Sequence, residues 1–73
     1  MPSELVVKTN QKILKDVEIA KNNSMQLYHH FLEQEENGKA QEYLEVADSL
    51  LDIRAVMRKL TNNEMGLVAY VEN

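Results

Sequence analysis

A chain of 73 residues has room for one small domain and no second. It has no cysteine, so disulfides and thiolate metal sites are excluded, and a reducing cytoplasm is the expected setting. A net charge of −4 argues against an indiscriminate grip on nucleic acid. So short a chain buries only about 60% of its unfolded surface and leans on disulfides, a metal or assembly with other chains. With the first excluded, assembly is the expectation. The sequence holds no run of about 18 apolar residues. Its start, MPSELVVKTNQK, lacks the basic segment and apolar core of a secretion signal. Neither a membrane span nor export is therefore expected. Glycine and proline are scarce, while Glu, Leu, Lys, Gln and Ala abound, a composition that favours an all-α fold.

The first predicted element is a long helix over about 4–36. Ser3 can cap it and Glu4 suits its first turn. A three-four spacing runs through Val6, Asn10, Ile13, Val17, Ala20, Ser24, Leu27 and Phe31. Leu14, Met25, Tyr28 and Leu32 widen this stripe beyond a two-stranded coil and toward a packed bundle. The segment KNNSMQ offers Asn23 or Ser24 as a break, but the apolar phase crosses it without a slip, so a continuous helix is preferred. Asn10 and Ser24 are polar positions on the seam, of a kind that fixes register at some cost in stability.

Asn37-Gly38 is a strong turn signal, with Gly38 suited to the left-handed conformation that closes a helix, so a turn is placed at about 37–39. The second predicted helix covers about 40–60, with Tyr43, Val46, Leu50, Ile53, Met57 and Leu60 as its seam. Ala40, Leu44, Ala47 and Leu51 lie beside it. So short a connection implies an antiparallel helical hairpin. Beyond Leu60, Thr61 and Glu64 match a capping box for a short C-terminal helix at about 62–71, whereas LVAYV is β-branched and aromatic enough for a strand. Both readings stay open. The candidate self-association core of a four-helix bundle built from two hairpins is Ile13, Val17, Leu27 and Phe31 with Leu50, Ile53, Met57 and Leu60.

Charges are sorted along the hairpin. Its tip carries Glu33, Glu35, Glu36, Glu42, Glu45 and Asp48 against Lys39 alone. The rest of the chain carries Lys8, Lys12, Lys15, Arg54, Arg58 and Lys59, with Lys21 between, against Glu4, Asp16, Glu18, Asp52, Glu64 and Glu72, a net +1 beside −5 at the tip. This opposes the dipole of the first helix, whose early turns hold lysines and whose late turns hold glutamates. A homodimer with each acidic tip beside its partner's basic end would answer the mismatch. Solvated surface charge with an accidental bias is the plainer explanation, since exposed ion pairs contribute only about 0.2–1 kcal/mol each.

Catalytic and metal chemistry find little support. His29 and His30 point about 100° apart on a helix and cannot chelate one ion together. His29 with Glu33 makes half a zinc site that no second histidine or cysteine completes. Glu45, Asp48 and Asp52 form a carboxylate stripe without the Glu-x-x-His pairs of a helical di-metal centre. Ser3, Ser24 and Ser49 have no histidine placed by a recognisable motif, and Gly38 and Gly66 stand alone, so there is no phosphate loop. The expectation is a protein without metal, cofactor or catalysis. It would be a cytoplasmic, homodimeric interaction module, regulatory or adaptor-like, that meets another protein through a helix face, the acidic tip or the Val68/Tyr70 tail. Two alternatives accompany it. The basic end of the hairpin could grip phosphates as a small helical nucleic-acid regulator, or the chain could be a subunit of a larger helical assembly.

Overall fold

The computed structural model describes residues 4–64. Two helices, α1 (Glu4–Glu33) and α2 (Asn37–Glu64), lie antiparallel as a hairpin. α1 is unbroken through Lys21–Gln26. The principal extents of 52 × 27 × 12 Å are those of a slab one helix thick.

The turn lies three residues earlier than Asn37-Gly38 suggests. α1 stops at Glu33, and Glu35, at φ 60°, is the left-handed residue. The amide of Glu36 donates to the Phe31 carbonyl at 2.9 Å, and that of Glu35 to the Leu32 carbonyl at 3.0 Å. This is the paired bonding of a Schellman cap, which satisfies carbonyls that the helix end would orphan. α2 begins at once: Ala40 N–H donates to the Glu36 carbonyl at 3.0 Å. Gly38 is thus in the first turn of α2 and needs no special conformation. α2 also runs to Glu64, past the predicted end at 60. Thr61 lies inside the helix and does not open a new one, so the predicted short element loses residues 62–64 to α2. The rest of that element, with Val68 and Tyr70, lies outside the described residues, as does the Ser3 cap.

The seam between the helices repeats in sevens. On α1 the inward positions are Val7, Leu14, Lys21 and Tyr28, alternating with Asn10, Val17, Ser24 and Phe31. On α2 they are Ala40, Ala47, Arg54 and Thr61, alternating with Tyr43, Leu50 and Met57. A stack of Phe31 on Tyr43 (centroids 5.5 Å apart, 7° between planes) and the Arg54–Glu18 ion pair set the antiparallel register. Small or polar residues fill much of this seam: Asn10 and Ser24 on α1, Ala40, Ala47 and Thr61 on α2.

This seam is only half of the predicted one. Asn10, Val17, Ser24 and Phe31, with Tyr43, Leu50 and Met57, face inward as expected. Val6, Ile13, Leu27, Val46, Ile53 and Leu60 do not; they stand one residue to the side and are at least one-third exposed. Among the described residues the buried apolar core is Val17, Ala40 and Ala47, and no large side chain is fully buried. The physical reason is geometric. A hydrophobic stripe three positions wide points at the middle of its width, and the single neighbour available within the chain meets one edge of it.

Candidate functional site: an exposed apolar face

The displaced half of the stripe falls on one side of the molecule. In each helix it occupies the position just before an inward residue: Ile13 before Leu14 and Leu27 before Tyr28 on α1, Val46 before Ala47 and Ile53 before Arg54 on α2. Because the helices run in opposite directions on opposite sides of the seam, right-handed winding turns these positions toward the same broad face. The register sets Ile13 level with Leu60, Ala20 with Ile53 and Leu27 with Val46. Val56 adds a further apolar side chain to this side. Ile13, Leu27, Val46, Ile53, Val56 and Leu60 are each 39–58% exposed. Beside Leu27, Asn23, Gln26 and His30 line an open depression of about 410 Å³.

The opposite face carries Met25, Leu32, Leu44 and Leu51, of which Leu32 is exposed, together with a charged cluster. Glu18 receives Arg54 Nη1 at 2.8 Å and Lys21 Nζ at 2.9 Å. The hydrogen bond from Arg54, then that from Lys21, holds the Glu18 carboxyl at a pKa of about 2. Both cations are partly buried by laying their stems along the seam. Arg54 therefore leaves the predicted basic end: its guanidinium is committed within the chain. Lys8 pairs with Glu4 at 2.8 Å in full solvent. Lys12, Lys15, Arg58 and Lys59 are exposed.

At the tip, Glu33, Glu35, Glu36, Glu42, Glu45 and Asp48 are all exposed. Lys39 reaches Glu36 at 3.6 Å and lies 5.5 Å from the Phe31 ring centre. His29 packs on Tyr28 and His30 edge-on to Phe31, so the paired histidines frame the aromatic end of the seam. Among the described residues, no three His, Cys, Asp or Glu side chains group as a metal site, and no helix is long and apolar enough to cross a membrane.

Of the predicted self-association core, Val17, Phe31, Leu50 and Met57 line the seam within one chain, while Ile13, Leu27, Ile53 and Leu60 line the open face. Sequence reasoning missed Val56, which is three residues after Ile53 and four before Leu60 but competes with Met57 for the same turn, and the inward placement of Arg54 and Thr61, which apolar periodicity cannot register. No family model, curated protein or solved structure matches this chain.

Proposed function

We propose that this chain is a small, non-catalytic protein–protein interaction module that works as a homodimer, in a regulatory or adaptor role. One observation carries the reading: an apolar stripe runs along one face of both helices, beside a seam whose buried apolar members, among the described residues, are Val17, Ala40 and Ala47. Apolar residues at two inward positions and one flanking position per seven are the pattern of a helix with two neighbours, as in a four-helix bundle. The hairpin supplies one neighbour per helix. A second hairpin supplies the other.

The nucleic-acid alternative draws less from the geometry, because Arg54 is bound to Glu18 and Lys21 shares the same carboxylate. Sedimentation equilibrium of the full chain at micromolar concentration tests the dimer. The expected mass is twice the 8.4 kDa of one chain. A single-chain mass with an undiminished helical spectrum would refute it.

A further inference from the structure

We infer that the apolar face of Ile13, Leu27, Val46, Ile53 and Leu60 is covered by a second copy of this chain laid on it head to tail, with Ala20 and Ile53 at the two-fold axis. The inference rests on the dimer proposed above and adds to it the face and the orientation.

The face is fixed by where the apolar surface lies. The six side chains that form it, Val56 included, leave on the order of 500 Å² exposed, more than half of the roughly 800 Å² that each partner buries in a standard interface. The other face holds the Glu18–Arg54–Lys21 cluster, whose burial against an apolar surface would strip solvent from three charges.

The orientation follows from charge. Two hairpins meeting on this face have two ways to close as a symmetric pair. With tips together, six acids and one lysine of one copy stack on the same set of the other. With tips opposed, each acidic end lies instead beside Lys12 and Lys59, which border the apolar face at the other end, while Lys8, Lys15 and Arg58 each follow an inward residue and turn to the opposite side. The second arrangement replaces repulsion with attraction. It also places α1 against the partner's α1 and α2 against the partner's α2. The stripe from Ile13 to Leu27 is centred on Ala20, whose small side chain suits the closest approach at the axis. The Ile13 position then comes over the Leu27 position of the other copy, beside the depression lined by Asn23, Gln26 and His30.

Because the chain lacks cysteine, single cysteines report the arrangement directly. The test uses full-length Ala20→Cys, Ile13→Cys, Leu27→Cys and Val46→Cys proteins, each checked for wild-type helicity, and a short bismaleimide. Head-to-tail packing predicts that Ala20→Cys links to itself. A mixture of Ile13→Cys and Leu27→Cys should link across the two proteins. Each of that pair alone should link weakly, because identical positions are then about 21 Å apart along the helices. Raising salt from low levels to roughly 0.5 M should also weaken the dimer about threefold or more.

Efficient linkage between Leu27→Cys and Val46→Cys, without linkage between Ile13→Cys and Leu27→Cys, would mean tips together and overturn the orientation. A dimer by mass that links in none of these mixtures would overturn the face while leaving the dimer intact. A compact single chain, with residues 65–73 lying over the face instead, would overturn both.

Discussion

The placement of the turn yields the sharpest stability test. If Gly38 closed α1 in a left-handed conformation, giving it a side chain would cost about 1 kcal/mol. In the structure Gly38 is the second residue of α2, and a Cβ built on it meets nothing within 4 Å. Gly38→Ala then removes only unfolded-state freedom and should stabilise the protein by about 0.5–1 kcal/mol. Glu35 is the residue at φ 60°. Glu35→Gly should also stabilise, by about 1 kcal/mol, because glycine enters that region without steric cost. It also removes a negative charge from the carbonyl end of α1. In a domain of this size each change should raise the melting temperature by roughly 3–8 °C. Urea or thermal denaturation followed by circular dichroism, at one fixed chain concentration so that association contributes equally, gives the comparison. A drop in stability for Gly38→Ala, or for Glu35→Gly, would refute this description of the turn.

Three further outcomes are expected. Thr61 is 6% exposed and its hydroxyl has no hydrogen-bond partner, so Thr61→Val should stabilise by about 1 kcal/mol in the same melts, and a loss would show that the hydroxyl is satisfied after all. Glu18 has its pKa lowered from 4.5 to about 2, so the stability it contributes is complete above about pH 4.5 and is lost as pH falls toward 2; Glu18→Gln should flatten that part of the stability profile, and an unchanged acid limb would argue against the ion pair. Ile53→Asp should abolish the dimer while leaving the helical spectrum largely intact, because Ile53 is about half exposed within one chain. Leu50→Ala, on the seam itself, should instead lower stability by up to about 2 kcal/mol; gel filtration alongside circular dichroism separates the two, and equal behaviour of both variants would erase the distinction between seam and face.

The hairpin was legible because phase survives local ambiguity. The apolar rhythm crosses Asn22, Asn23 and Ser24 unchanged, and α1 is continuous there. Asn10, Val17, Ser24, Phe31, Tyr43, Leu50 and Met57 were legible as inward for the same reason. The other half of the seam was not, because hydrophobicity ranks Ile53 above Arg54 and Leu60 above Thr61, whereas the inter-helix contact rewards shape. An arginine with a carboxylate at hand, or a small threonine, fits between two close helices where a second large apolar residue does not. The turn misled for a related reason. Asn-Gly is a statistical marker of left-handed backbone, but here Glu35 adopts that conformation and Asn37-Gly38 opens α2, where its flexibility serves no evident purpose.

The brevity of the connection has a bearing on misassembly. Phe31 and Ala40 both face the seam and lie nine positions apart. In one uninterrupted helix, nine steps amount to two and a half revolutions, so these two side chains would end up about 180° apart. A chain that straightened at Glu35 would therefore present its two sticky edges to opposite sides of a single long rod. Two such rods could exchange halves only by winding half-way round each other at the hinge. Tight hairpins are ordinarily prone to swapping arms with a neighbour; here the spacing of the residues beside the bend stands in the way.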